Sequence, residues 1–466
     1  MTKIGLEIHC QLTNLESKLF CSCKANYRGF EPNANICPVC IGLPGSLPRL
    51  NKKAVEKATM IAMSLNCNTP DKLAFFRKNY FYPDLPKNFQ ITQLNVYGEH
   101  SIGQNGTILV DDKEIRIRRI QLEEDPGRLI YEGISEKTQI TLVDYNRAGT
   151  PLVEIVTEPD FENERQVRLF LNILSDLLDN LDVSNPSLEG AMRADGNISI
   201  EGGNKVEIKN VNSFHDLEKA LHFEITRQES LISRDIPIEQ ETRHWDDKRK
   251  ITVSARIKEG EEDYRYFLES DIPWIIIDSQ TLNKLKADMP ESISSKKERY
   301  ITKQIPAQVA EVLSSDKFCS DLFELAHNES NAIVIANLIT TDLMGLVDTD
   351  EKREKSKLTH QHLTDLANSI ETKEITRTSA KTALQECVAT GLPVSEIIST
   401  LDLGHVSDES ELNKIIDEIF IQEPNTVEQA KTNPETINYL IGKVMEKTKG
   451  KADPILTLNI INKKLS

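Results

Sequence analysis

Ile4-Gly5-Leu6-Glu7-Ile8-His9-Cys10-Gln11-Leu12 places two chemistries on one short segment. Ile4, Leu6 and Ile8 alternate with Gly5, Glu7 and His9. A β-strand here hides its aliphatic side chains on one face and turns a carboxylate and an imidazole to the other. One wet strand face is commonplace, but three later segments repeat it. In RIRRIQLEEDPGR (116–128), Ile120 and Leu122 share a parity with Glu124, opposite Arg119, Gln121, Glu123 and Asp125. In MRADGNISI (192–200), Met192, Ile198 and Ile200 oppose Arg193, Asp195, Asn197 and Ser199. In VEIK (206–209), Val206 and Ile208 oppose Glu207 and Lys209. Four such segments are expected to form one antiparallel sheet, its apolar side under helices and its polar side open as a site. The expected fold class is therefore α+β.

Carboxylates gathered on one face repel and raise one another's pKa unless positive charge sits among them. A divalent cation on oxygen ligands, magnesium being the natural choice, meets that need. Interleaved Arg193, Lys209 and the Arg116/Arg118/Arg119 group then suit phosphate oxygens bridged by the cation. The plainer alternative is a solvated sheet face laced with surface ion pairs. His9 is less typical of magnesium; it binds a softer ion, orients a water, or hydrogen-bonds a carboxylate. GKVMEKTKGKA (442–452) has Gly-Lys without a following Ser or Thr, so it is no Walker A loop, and no dinucleotide fingerprint is present. If ATP binds, the sheet face must hold it.

The segment CSCKANYRGFEPNANICPVC places Cys21, Cys23, Cys37 and Cys40 as two close pairs joined by a loop. Each pair spans one edge of a tetrahedron, the requirement of a structural zinc site; reduced or redox-active loop thiols are the other reading. Cys10, Cys67, Cys319 and Cys387 are scattered and read as buried hydrophobes.

With 466 residues, 39% hydrophobic and 28% charged, the chain is long enough for two to four domains with real cores. No apolar run approaches a membrane span, strand-like sequence from Ile4 leaves no expected room for a leader, and eight cysteines are too few for a disulfide scaffold. The expected setting is cytoplasmic. A net charge of −17 opposes any general coating with nucleic acid. One local patch runs the other way: Lys443, Lys447, Lys449, Lys451, Lys463 and Lys464 stand against Glu446 and Asp453, either a nucleic-acid grip or a solvated tail. Alternation and most aromatics end near Pro290. We expect a mixed body over 1–290, a helical domain over 291–402 and a small helical tail over 403–466. A helix is predicted over Glu164–Leu181, and Asp408 with Glu411 reads as a capping pair opening the tail.

Taken together, IGLEIHCQL, SKLFCSC, NICPVCIGLPGSLP, RKNYFYPDLPKNFQITQ, LEEDPGR, DYNRAGTPLVEIVTEPD, MRADGNIS, VEIKNVNSF, DYRYF and LIGKVMEKTKGKADP closely resemble the B subunit of aspartyl/glutamyl-tRNA amidotransferase. The resemblance spans nearly the whole chain. It implies a cradle-shaped body related to the glutamine synthetase fold, with an antiparallel sheet carrying a kinase-like site and helical domains following. It carries metal and ATP-site roles onto Glu7, His9, Glu124, Asp195 and Glu207, with Glu123 adjacent and Lys209 in the catalytic set. Glu124 has the apolar parity, so either a bulge at 123–125 re-aims it or Glu123 is the ligand. Arg147, Arg193, Asn197 and Lys209 become the groups expected to hold the nucleotide.

The implied reaction transfers the γ-phosphoryl of ATP to the side-chain carboxylate of Glu-tRNA(Gln) or Asp-tRNA(Asn). Ammonia then displaces phosphate from the acyl phosphate to form the amide. No glutaminase nucleophile is evident in the chain, and the family supplies one through an amidase A subunit, alongside a small C subunit. Lys78, Tyr80 and Tyr82 within RKNYFYPDLPK suit stacking on a terminal base, or else form an aromatic corner of the core. Lys443, Lys447, Lys449 and Lys451 then suit a grip on the tRNA. Where the family carries prolines around a glutamate after DYRYF, this chain has Leu268-Glu269-Ser270. A non-catalytic zinc-bearing tRNA scaffold and a glutamine-synthetase-like ligase for a small free acid are the competing readings. The carboxylates on four polar faces oppose the first, the basic tail and aromatic segment the second.

Overall fold

A computed structural model describes residues 2–95, 98, 100–131, 140–201, 203–256, 264–404, 409–430, 434–448 and 451–465. Asp408, the first member of the expected capping pair, and Lys449 fall outside what it describes, as does the side chain of Glu411. The chain divides into two units, Met1–Pro290 and Glu291–Ser466.

The first unit is built on eight strands: β1 (Thr2–Gln11), β2 (Gly103–Val110), β3 (Lys113–Glu124), β4 (Pro151–Thr157), β5 (Met192–Ile200), β6 (Val206–Lys209), β7 (Glu241–Asp246) and β8 (Ile251–Arg256). Their order across the sheet is β8-β7-β6-β5-β1-β4-β3-β2. The alternation in β1 is realised: Ile4, Leu6, Ile8 and Cys10 are buried on the helix-covered side. Helix α1 (Lys52–Ser64), α2 (Glu164–Asn180) and α3 (Phe214–Ile232) supply that cover. The Asn163 side chain caps α2 by accepting from the Gln166 N–H at 2.9 Å. Val167, Phe170, Leu171, Leu174 and Leu178 then bury the stripe predicted from their spacing. Close packing leaves no room for side chains at Gly106, where a Cβ would sit 2.4 Å from the Leu65 carbonyl oxygen.

The sheet is not wholly antiparallel. β6 and β7 run parallel, Val206 opposite Glu241, because α3 carries the chain back over the sheet between them. Short connections enforce antiparallel pairing; a helical crossover of this length permits the other direction. The body is thus α+β with a mixed sheet. A second, small sheet joins Phe76–Asn79 to Phe89–Thr92 and Phe267–Leu268.

The second unit is helical, and its buried residues form two clusters. One centres on Tyr300, Leu313, Phe323, Leu338, Leu366 and Leu384, the other on Leu412, Ile416, Leu440, Val444 and Ile461. The first contains a π-helical turn, Leu338–Leu343, whose buried Asp342 pairs with Arg377 at 2.9 Å. Among the described residues, no helix is long and apolar enough to cross a membrane.

Candidate active site

Register builds the site. Glu7 on β1 lies opposite Asp195 on β5 and Val156 on β4; His9 lies opposite Arg193 and Glu154. Glu154 in turn faces Gln121 on β3, and Asn197 on β5 faces Glu207 on β6. Cross-strand partners point to the same side of a sheet. Five neighbouring strands therefore set their carboxylates on the one face the helices leave open. A hollow of about 200 Å³ over this face is lined by Glu7, His9, Glu123, Glu154, Glu207 and Lys209. Lys78, Tyr264 and Tyr266 also line it.

The groups hold one another in place. His9 Nε2 is 3.7 Å from Glu7 and 3.8 Å from Glu123. Thr92 donates to Glu123 at 2.9 Å, and Thr242 donates to Glu207 at 2.8 Å. Lys209 Nζ sits 3.1 Å from Asp195 and 3.6 Å from Glu207. Burial works against the Lys209 ammonium, but Asp195, Glu7 and Glu207 outweigh it and hold its pKa above the ordinary lysine value. Lys78 is held up likewise, burial being outweighed by Tyr266, Glu123, Glu154 and Tyr80. Burial raises the Asp195 carboxyl; Glu7 adds to the rise, while Lys209 and His9 oppose it.

Glu154 is the functional candidate the sequence reading missed. It interrupts the apolar run PLVEIV between fully buried Val153 and Ile155. A carboxylate inside a strand whose sequence is otherwise apolar on both faces was the available signal. Burial, then Glu123 and Glu7, push its carboxyl up to about 7. The metal-free fold thus binds this proton more tightly than the unfolded chain, whose carboxyl titrates near 4.5. Stability contributed by the protonated form is present at pH 5 and lost as pH rises through 7. Urea denaturation of metal-free protein is expected to show a loss of a few kcal/mol between pH 5 and 8. Glu154→Gln is expected to flatten that slope and to stabilise the metal-free protein at pH 8.

Glu7, His9 and Glu154 offer ligand atoms all within 4.8 Å of one another. Two carboxylates and an imidazole fit a divalent cation, and the lysines beside them fit its anionic companion. Two buried polar atoms support a prepared site. Gln93, which also lines the hollow, accepts the Ile102 and Leu122 N–H groups at its Oε1, fixing the amide's orientation. Its Nε2, and Asn197 Oδ1, have no hydrogen-bond partner among the described residues.

Several expected residues lie elsewhere. Glu124 keeps the apolar parity, because the irregularity in β3 falls at Ile117–Arg119 and not at 123–125. It pairs with Lys87 and accepts the Ile91 N–H at 2.9 Å, bordering a separate cavity of about 220 Å³ beside Cys40; Glu123 is the member of the pair that faces the hollow. Arg147 donates to the carbonyls of Pro126 and Gly127 at 2.9 and 2.6 Å. Arg193 lies 3.2 Å from Asp125, itself buried. Arg116 and Arg118 pair with Asp160 and Glu158, leaving only Arg119 of that group at the hollow, 3.6 Å from Glu154. Lys78 turns towards the carboxylates, and Tyr80 sets its ring edge-on to Tyr264 at 6.0 Å. Tyr82 and its neighbour Phe81 are exposed. Glu269, at the departure from the family pattern, is buried and forks onto Arg77 at 2.6 and 2.9 Å.

The sulfurs of Cys21, Cys23, Cys37 and Cys40 also lie within 4.8 Å of one another. A tetrathiolate with bonds of about 2.3 Å has edges of roughly 3.8 Å, so the set fits zinc. In the tail, Lys443 pairs with Glu446 at 2.9 Å, Lys447 with Glu418, and Lys451 with Asp402 at 2.5 Å. Those three lysines are matched by acids, not held out as unpaired charge.

The fold and site define a class: an α+β enzyme body with an oxygen-rich, lysine-flanked hollow on its open sheet face, extended by helices. The profile described as the GatB/GatE catalytic domain matches residues 2–283, and that of the GatB domain matches 321–465. The B subunit of aspartyl/glutamyl-tRNA(Asn/Gln) amidotransferase from Saccharolobus solfataricus is 44% identical over 469 residues, covering 100% of this chain and 99% of its own length. That of Sulfolobus acidocaldarius is 45% identical over 470 residues, covering 100% of each. That of Caldanaerobacter subterraneus is 39% identical over 478 residues, covering 99% and 98%. The chain belongs to the family of amidotransferase B subunits.

Proposed function

We propose that this chain is the activating component of a tRNA-dependent amidotransferase, a carbon–nitrogen ligase. It uses ATP to phosphorylate the side-chain carboxylate of Glu-tRNA(Gln), Asp-tRNA(Asn) or both. Ammonia from a partner amidase completes the amide, with a small third subunit in the assembly. The observation that carries this reading is the convergence of Glu7, His9, Glu123, Glu154 and Glu207 with Lys78 and Lys209 at one hollow, with Asp195 paired to Lys209 beside it. A pure RNA-binding scaffold has no use for carboxylates gathered where phosphate must approach.

The difficulty of the reaction is charge, since a carboxylate must attack a triphosphate. Glu7, Glu154 and their neighbours would hold a magnesium ion, which would supply Lewis acidity and charge neutralisation. Lys209 and Lys78, both kept charged by surrounding acids, meet phosphate oxygens. Thr92 and Thr242 hold Glu123 and Glu207 in fixed rotamers, so the site is arranged before substrate arrives. Tyr264 and Tyr266 reduce the access of water, which would hydrolyse an acyl phosphate. The four cysteines hold a structural zinc. None of the eight cysteines is joined in a disulfide, which suits a cytoplasmic setting.

The test is ADP formation by the purified heterotrimer, comparing Glu-tRNA(Gln) and Asp-tRNA(Asn) with uncharged tRNA. ADP release that ignores aminoacylation would overturn the reading. For the tail, we expect Lys443→Gln, Lys447→Gln and Lys451→Gln together to weaken tRNA binding. They should also lower the slope of log affinity against log salt by roughly three units. Filter binding at several salt concentrations checks this; an unchanged slope would remove the tail from tRNA contact.

A further inference from the structure

Lys18 is wholly buried, yet among the described residues no carboxylate pairs with it. Its Nζ donates to the Asn35 carbonyl at 2.9 Å and stands 3.8 Å from Cys40 Sγ. An ammonium taken out of water without a counter-charge is strongly disfavoured, and a carbonyl offers only a dipole. Among the described residues, the group within 4 Å of its Nζ that can carry negative charge is the Cys40 sulfur. A divalent cation bound by four thiolates keeps a twofold negative excess, which the surrounding protein has to offset.

The local chain fixes the contact. Lys18 N–H donates to the Cys23 carbonyl at 2.9 Å, and Ser17 bridges to Lys24, so the lysine sits on the hairpin that carries Cys21 and Cys23. Cys40 Sγ also takes the Cys37 N–H at 3.1 Å, giving this sulfur two donors. Gly149 closes the other side at φ +84°; a Cβ there would lie 3.5 Å from both Lys18 Cδ and Cys40 Cβ. The lysine side chain is thereby confined against the thiolate.

We propose that Lys18 is the built-in counter-cation of the four-cysteine site: it offsets part of the thiolate charge at Cys40 and slows metal release. This rests on the reading of the cysteines as a zinc site, and the experiment separates the two. Full-length protein is assayed for zinc content and for zinc release to excess 4-(2-pyridylazo)resorcinol. The thiolate-to-metal charge-transfer band is recorded after cobalt substitution. Wild type and Lys18→Arg are expected to hold one zinc per chain and to release it slowly. Lys18→Met and Lys18→Gln, both uncharged, are expected to release it about 10–100 times faster, the usual effect of losing a partner in the outer coordination shell. Their cobalt charge-transfer band should shift as the sulfur loses its donor. If both uncharged variants fail to fold while Lys18→Arg folds normally, the same dependence on charge is expressed in full. Unchanged release and spectrum in the uncharged variants would overturn the proposal while leaving the zinc site standing. Failure of all three variants to fold would overturn it too, since shape and not charge would then be at stake. Wild-type protein without zinc and without a cobalt–thiolate band would remove the zinc reading and this proposal together.

Discussion

Glu207→Ala or Asp195→Ala is expected to lower ATP turnover by the heterotrimer on the order of 10³-fold while leaving tRNA binding intact. Both residues share Lys209, which lies between them at 3.6 and 3.1 Å. Removing either carboxylate takes away one of that lysine's salt-bridge partners and a negative charge from the open face of the sheet. Neither change opens the hydrophobic core, because both side chains leave the sheet on its open face. Glu154→Ala should be as severe, since Glu154 closes the triad with Glu7 and His9. ADP release and filter binding on the same preparations distinguish loss of chemistry from loss of fold. Full ATP turnover in the Asp195 and Glu207 variants would exclude both from phosphoryl transfer.

Stripping the metal from the four cysteines is expected to cost several kcal/mol and to do so locally first. The hairpin and loop from Ser17 to Pro48 contain few apolar anchors beyond Leu19, Phe20 and Ala25. Phe20 stacks edge-on to Phe75 at 5.5 Å, and Leu19 N–H donates to the Gly149 carbonyl at 2.9 Å. Chelation or the double change Cys21→Ser/Cys37→Ser should therefore expose the 21–48 stretch to protease while the sheet persists. Gly149 N–H donates to the Asp125 carbonyl, so loosening should spread to the end of β3 and lower ATP turnover as well. Limited proteolysis with a parallel melting curve checks this. Identical cleavage and melting with and without chelator would mean the cysteines hold no structural ion.

Much of this arrangement is legible in the sequence because alternation is a local signal. Glu7, Asp195 and Glu207 lie on strands where every second residue is apolar, and parity alone assigns their face. Glu154 escapes that test: Leu152 and Val156 share its side, so β4 reads as buried throughout. Glu124 shows the converse, as family likeness placed it in the site while its parity, kept in the structure, turns it towards Lys87. The parallel β6–β7 pair could not be read from strand residues, whose pattern is the same in either direction; the helix between them decides it. Lys78 and Tyr80 carry the composition of a nucleic-acid platform. Their place beside Glu123 and Tyr264 comes from pairing between Phe76–Asn79 and Phe89–Thr92, which no short motif encodes. Lys18 looks like any surface lysine until the fold buries it.

The central claim is that the open face of the sheet holds a divalent cation together with a triphosphate. Crystals of the heterotrimer grown with manganese and a non-hydrolysable ATP analogue test it most directly, through the anomalous signal of the metal. The expected result is a peak bounded by Glu7, His9 and Glu154, with phosphate density reaching Lys209. Manganese and nucleotide bound together elsewhere on the molecule, with the carboxylate hollow empty, would contradict it.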